Sequence, residues 1–211
     1  MVRGQFITFE GMDGCGKTTQ LRILASALRS HGMKVVETVE PGGTEIGQQI
    51  RRILLDPANT AVHARTELLL YFASRAQNVQ QVIAPGLENG SVVLCDRFTD
   101  STLVYQGCGR GLDAATVLQL DAIACNGLRP DVTVLIDIDL ETSLARARRR
   151  NERSDGSESR IDDEGAQFHE KVRRGYLALA AQEPERFVVI DGRAGIHEVT
   201  TRIEEALRNR V

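Results

Sequence analysis

Nine consecutive residues, Gly11-Met12-Asp13-Gly14-Cys15-Gly16-Lys17-Thr18-Thr19, carry the most explicit chemistry in this 211-residue chain. They complete the pattern GxxxxGK[ST]. They also follow an apolar run, Phe6 to Glu10, and open a helical stretch at Lys17, the context in which the pattern acts as a phosphate cradle. Glycines at 11, 14 and 16 let backbone N–H groups turn inward without Cβ clashes. The helix beginning at Lys17 offers its positive end to the same anion. Lys17 would neutralise the β- and γ-phosphates, and the Thr18 hydroxyl is suited to Mg²⁺. These nine residues predict a nucleoside triphosphate site, with Lys17 as a catalytic group.

A second constellation narrows the chemistry. The run Val92-Val93-Leu94-Cys95 ends in Asp96-Arg97. Asp96 is placed to assist Thr18 at Mg²⁺, mostly through phosphates and water. Arginine in the next position is ill-suited to orienting a hydrolytic water but well suited to a second anion. Neither Lys34 nor Lys171 belongs to an NKxD guanine motif, which argues against a GTPase. Transfer to a phosphorylated acceptor fits better than hydrolysis.

These groups need a scaffold. Short apolar runs alternate with longer amphipathic stretches, the signature of an α/β fold with a mainly parallel sheet. The pattern predicts five strands: Gln5 to Glu10, Lys34 to Val39, Ser91 to Cys95, Asp131 to Ile138 and Phe187 to Ile190. Helices are predicted over Lys17 to His31, Arg65 to Glu88, Asp113 to Asn126, Leu140 to Arg150, Gly165 to Gln182 and Ile196 to Asn209. With no internal repeat and no Pro/Ser-rich linker, the chain reads as one domain over 1–211. One segment breaks the pattern: six arginines fall between Arg146 and Arg160, around a Ser/Asp/Gly/Glu stretch at 154–159. Composition allows a solvated surface loop there, or a mobile lid that brings arginines onto a bound anion.

Composition sets outer limits. Apolar residues make up 42% and charged residues 26%, enough for a substantial core and unlike a disordered or collagenous chain. A formal charge of -3 gives no global positive field, so nucleic acid and anionic membranes are not expected partners. Four cysteines, at 15, 95, 108 and 125, form no CxxC pair and fit a reducing compartment. With neither a signal-peptide pattern nor an apolar run long enough to span a bilayer, a cytoplasmic protein is expected.

Further motifs occur in order: Glu40-Pro41-Gly42-Gly43-Thr44, Leu70-Tyr71-Phe72-Ala73-Ser74-Arg75-Ala76-Gln77, Asp96-Arg97-Phe98, Ser101-Thr102-Leu103-Val104-Tyr105-Gln106-Gly107, Asn126 to Asp131, Ser159-Arg160-Ile161-Asp162 and Phe168 to Arg173. Together with the phosphate loop they resemble the thymidylate kinases of bacteria over nearly the whole chain. The resemblance implies a P-loop NTPase-type, five-stranded parallel sheet flanked by helices, with a mobile arginine-rich lid at about 146–160. It implies transfer of a phosphoryl group from Mg-ATP to dTMP by a homodimer, within dTTP synthesis. Arg97 would clamp the acceptor phosphate with help from Arg51, and Arg75 would hydrogen-bond a thymine carbonyl. Tyr71 would stack on the base, where the family usually has Phe. Gln106, with Ser101 and Thr102 nearby, would read the base edge. Tyr105 would crowd the 2′ position of the sugar, and Asp13 and Glu40 would sit near the sugar hydroxyl and the acceptor-side Mg²⁺ or water network. The resemblance also suggests a cis peptide before Pro41.

The sequence departs from the family pattern in places. Val39 stands where bacterial relatives commonly have an arginine that contacts the acceptor phosphate, and the lid is longer than in many relatives. Gly14 supplies no arginine within the phosphate loop, so the resemblance implies a lid arginine at the transition state, Arg160 or Arg153. Read without the resemblance, Tyr71, Phe72 and Tyr105 read more readily as core aromatics, and Arg75 as a surface ion-pair residue. Another nucleoside monophosphate kinase, of UMP/CMP type, and an ATP-binding module without turnover are the alternative readings.

Overall fold

The computed structural model describes residues 3–153, 158–208 and 210, with the side chains of Arg150 and Arg153 outside the described set. Five strands form one parallel sheet: β1 (Phe6–Glu10), β2 (Val35–Val39), β3 (Val92–Asp96), β4 (Val132–Asp137) and β5 (Phe187–Asp191), in the order β2-β3-β1-β4-β5. The strands read as nearly unbroken apolar runs because helices cover both faces of the sheet. Alternation along β1 divides the core. Ile7 and Phe9 join the cluster built on β4, β5 and the C-terminal helix, while Phe6 faces the opposite cluster and meets Phe98 edge-on at 5.0 Å.

The sheet register positions the chemistry. Phe9 and Val39 both lie opposite Asp96, so the C-terminal ends of β1, β2 and β3 fall on one line. The backbone N–H of Glu40 donates to the Asp96 carbonyl at 2.9 Å, and that of Arg97 to the Phe9 carbonyl at 3.0 Å. The phosphate loop, the Glu40-Pro41 turn and the Asp96-Arg97 pair are therefore brought to one edge. From β1 the chain winds first toward β3 and β2 and later toward β4 and β5. This edge is thus the switch point at which open α/β sheets bind ligands.

Among the described residues the helices are α1 (Lys17–Ser30), α2 (Glu45–Leu55), α3 (Ala64–Asn78), α4 (Ala84–Glu88), α5 (Thr99–Thr102), α6 (Ala114–Cys125), α7 (Leu140–Arg153), α8 (Ala166–Gln182) and α9 (Ile196–Leu207). The stretch expected as one helix from Arg65 to Glu88 is instead α3 and α4 joined by a π turn over Val79–Ile83. Pro85 has no N–H to give the Gln81 carbonyl, and the wider turn falls just before it. A second π turn, Leu103–Gly109, extends α5. Helix α7 runs three residues beyond its expected end, to Arg153. The limits of α6 follow its flanking residues: Asp113 accepts from the Thr116 N–H at 3.1 Å, and Asn126 takes the left-handed conformation that ends the helix. Residues 154–157, within the expected lid, lie outside the described residues. None of the described helices is long and apolar enough to cross a membrane.

Candidate active site

The phosphate loop turns where only glycine fits. Gly11 has φ 134°, and a Cβ there would stand 2.4 Å from the Ile136 carbonyl oxygen. Gly16 takes φ 100° with open space around it, so its requirement is conformational, and it starts α1 without any side-chain cap. The amides of the first turn are thereby left for an anion. Lys17 is buried, and its ammonium donates to the carbonyls of Gly11 at 3.0 Å and Met12 at 2.9 Å. Ser143 of α7 donates to the Asp13 carbonyl at 2.6 Å and steadies the loop from outside. The Thr18 hydroxyl donates to the Asp96 carboxylate. These are hard oxygen donors at the mouth of the loop, the set Mg²⁺ prefers, and they are too few to hold it alone. No cluster of three His, Cys, Asp or Glu side chains occurs among the described residues, so phosphate and water would complete the coordination.

Opposite Lys17 stands Arg97. Its φ of 72° is the left-handed region that a bulky residue rarely enters, and it is held there by its own N–H on the Phe9 carbonyl and by the Phe98 N–H on the Glu10 carboxylate. That backbone turns the guanidinium back over the loop. Nη1 donates to the Gly11 carbonyl at 3.1 Å, to Ser101 at 3.0 Å and to the Tyr176 hydroxyl at 3.1 Å. Nη2 donates to Asp13 at 2.9 Å and to the Tyr105 hydroxyl at 3.2 Å. Lys17 and Arg97 thus share one acceptor, the Gly11 oxygen. Tyr105 lies under the guanidinium, with its centroid 4.9 Å away, and donates to Asp13 at 2.9 Å.

A cavity of about 360 Å³ opens beside this pair. Its walls bring together Asp13, Thr18, Glu40, Arg51, Tyr71, Arg75, Arg97, Ser101, Thr102, Tyr105 and Gln106, residues drawn from seven separate segments. Arg75 is fully buried between the rings of Phe72 and Phe98, at 5.0 and 5.1 Å. It bonds Glu40, Thr99, the Phe98 carbonyl and Thr102, which occupies four of its five N–H donors. Burial raises Glu40 above the usual carboxylate range, against the pull of Arg75 and Asn78. Arg51 forms a two-point pair with Glu158, at 2.7 and 2.6 Å, and donates to the Pro41 carbonyl at 2.9 Å. The Glu40–Pro41 peptide is cis.

Arg160 is not brought to the phosphate loop. Its guanidinium donates to the Leu54 carbonyl and, at 2.7 Å, to Glu67, and it does not line the cavity. The Arg153 side chain lies outside the described residues.

Sequence reasoning missed several participants. Glu10 is fully buried and accepts from the Phe98 N–H at 2.7 Å, Ser101 at 2.6 Å and Tyr176 at 2.8 Å. The signal for it existed: it is the single charge in an apolar strand, immediately before the loop. Glu67 lies one helical turn before Tyr71, a spacing that also was visible. Tyr176 and Glu158 carry no local signal, because each meets its partner only through the fold.

Burial, reinforced by the charge of Asp100, pushes Glu10 up to about 7, against the opposing effects of Arg97, Ser101 and Tyr176. A carboxyl with a raised folded pKa holds a proton more firmly in the native state. Its stabilising contribution is complete below its ordinary value near 4.5 and is lost as pH rises toward about 7. Thermal midpoints are therefore expected to fall between about pH 5 and pH 7.5, and to fall less in Glu10→Gln. Equal pH slopes in the two proteins would count against this assignment.

The family model for thymidylate kinase matches residues 9–203. A protein named thymidylate kinase from Geobacter sulfurreducens is 54% identical over 209 residues, covering 99% of this chain and 98% of its own length. One of the same name from Syntrophus aciditrophicus is 49% identical over 208 residues, with 96% and 95% coverage. The crystal structure of thymidylate kinase from Ehrlichia chaffeensis superimposes with a TM-score of 0.79 at 31% identity, covering 97% of this chain and 99% of that one. Matches of this length and identity extend from the phosphate loop to the last helix, and they place the chain in the thymidylate kinase family.

Proposed function

We propose that this chain phosphorylates dTMP to dTDP with ATP, bound as its Mg²⁺ complex, as the phosphoryl donor. One observation carries the reading: Lys17 on the donor side and Arg97 on the acceptor side donate to the same Gly11 carbonyl. The two cations are thus no farther apart than two hydrogen bonds allow, as two phosphates meeting in line require.

The attacking group is a phosphate oxygen of dTMP, already anionic near neutrality because the second phosphate pKa is about 6. No side chain has to remove a proton. Loop amides and Lys17 hold the donor phosphates, while Arg97, assisted by Arg51, holds the acceptor phosphate through planar, charge-assisted contacts. Thr18, with Asp96 behind it, would hold Mg²⁺, which would supply positive charge to offset that of the donor phosphates. Tyr71 stacks on the thymine. The one unused N–H of Arg75 serves a base carbonyl, and Gln106, Ser101 and Thr102 line the base edge. Tyr105, fixed by Asp13 and Arg97, narrows the space at the 2′ position, with Glu40 nearby.

Arg160 and Arg153 of the lid are assigned to the transferring phosphoryl. Arg160 reaches it only by releasing Glu67. Arg160→Ala is expected to lower kcat by about 10³, the lower end of what losing an arginine from a transferring phosphoryl group costs, with smaller changes in KM. A change confined to KM would count against the role.

Leu69 of α3 and Leu118 and Ile123 of α6 are exposed, and these two helices pack together. Their apolar face supports a homodimer paired there. Cysteines 15, 95, 108 and 125 are free thiols, which supports a reducing, cytoplasmic location. The functional assignment is tested by ADP release from Mg-ATP against dTMP, dUMP, UMP, dCMP and AMP. Fastest turnover with dTMP and weaker turnover with dUMP is expected. Preference for UMP or AMP would overturn the assignment of the base.

A further inference from the structure

Glu67 lies almost wholly buried at the base of α3, outside the cavity lining, yet four donors converge on its carboxylate. Oε1 accepts from the Gln106 side-chain amide at 2.9 Å and from Arg110 Nε at 3.1 Å. Oε2 accepts from Arg110 Nη2 at 3.2 Å and from Arg160 Nη2 at 2.7 Å. Burial alone would raise its pKa, but the bonds from Arg110, Gln106 and Arg160 outweigh burial and hold it below the usual range. Near neutral pH it is a carboxylate, which can only accept.

That fact dictates the orientation of Gln106. A side-chain amide has one donor end and one acceptor end, and only the NH₂ end can meet a carboxylate. The Oε1 end is left for the cavity that Gln106 lines, and no protein donor meets it among the described residues. Arg75, across the same cavity, has no acceptor at all. The pocket therefore presents an acceptor at Gln106 and a donor at Arg75. Thymine and uracil offer the complement, an N3–H donor beside a carbonyl acceptor. Cytosine offers the reverse, an unprotonated N3 beside an amino group.

We propose that Glu67 is a positioning residue for pyrimidine specificity: it locks the Gln106 amide with its carbonyl toward the base, so that the pocket accepts the thymine edge and refuses the cytosine edge. This rests on the base-reading role given to Gln106 above. Arg75 disfavours the cytosine amino group by itself; Glu67 adds a preference of orientation at N3, where a freely turning amide would accept from N3–H or donate to an unprotonated N3 alike. Such a site penalises the wrong base by leaving polar groups unpaired.

The test compares dTMP and dCMP, which share sugar and phosphate, by calorimetric Kd and by kcat/KM. In Glu67→Gln the dTMP-over-dCMP ratio is expected to fall about tenfold, the worth of one hydrogen-bond preference. Loss of the two arginine contacts alone would weaken both nucleotides equally and leave the ratio unchanged, which would overturn the proposal. Should Glu67→Gln fail to fold, Glu67→Asp keeps the charge for Arg110 and Arg160 but shortens the arm toward Gln106. It is expected to lose discrimination as well, and an unchanged ratio there would be equally fatal. Gln106→Leu separates the two levels. If it shifts the ratio while the Glu67 variants do not, base reading stands and the positioning role falls. If it leaves the ratio unchanged, both fall.

Discussion

Replacing Lys17 with Met lowers kcat by about 10³ to 10⁵, the range seen when a cation is withdrawn from a transferring phosphoryl group. The ammonium is buried and held by two loop carbonyls, so its position is set before any nucleotide arrives. A group already in place pays little reorganisation when charge develops on the phosphoryl oxygens, and its effect is concentrated in the transition state. Met keeps the length and packing of the side chain. It also removes a buried charge, so the fold is expected to survive, and thermal denaturation of the variant checks this. Lys17→Arg is not expected to rescue the rate, because a planar fork does not fit a space shaped around one nitrogen. Steady-state kinetics with saturating dTMP measure the effect. A loss below tenfold in a folded Lys17→Met protein would remove Lys17 from the chemistry.

Arg97→Lys is expected to reduce kcat/KM for dTMP by about 10² to 10⁴, the equivalent of two charge-assisted hydrogen bonds at about 1.5–3 kcal/mol each. The change keeps the positive charge near Asp13 and the two tyrosine hydroxyls, which guards against an uncompensated buried carboxylate. What disappears is the fork that can hold two phosphate oxygens at once. The loss is therefore expected to be specific to the acceptor, with KM for ATP nearly unchanged. Equal losses on ATP and dTMP would mean that Arg97 supports the loop as a whole and does not clamp the acceptor phosphate.

The features legible in the sequence are those whose geometry depends on near neighbours. The phosphate loop is contiguous, its glycines answer to local φ values, and the strand before it is a simple apolar run. The five strands fall within a residue or two of their expected limits for the same reason. The π turns at Val79–Ile83 and Leu103–Gly109 were not legible, because apolar periodicity reports which face is buried and not which carbonyl each N–H chooses. Helix α2 was not among the helices that the apolar pattern predicted. Tyr176 escaped because it meets Arg97 across 79 residues of chain, and Glu67 because its partners come from 39, 43 and 93 residues away. The family resemblance named Arg51 and Arg160, yet here both guanidiniums are engaged by carboxylates, Glu158 and Glu67. Those ion pairs are long-range contacts that no local pattern encodes.

The central claim, that a phosphate oxygen of dTMP takes the γ-phosphoryl group, is tested most directly by ³¹P NMR of the protein with Mg-ATP and either dTMP or thymidine. The account predicts matched growth of ADP and dTDP resonances with dTMP, and no new phosphomonoester with thymidine, since nothing in the site is assigned to deprotonate a 5′-hydroxyl. Growth of ADP and inorganic phosphate without dTDP, or conversion of thymidine to dTMP, would contradict it.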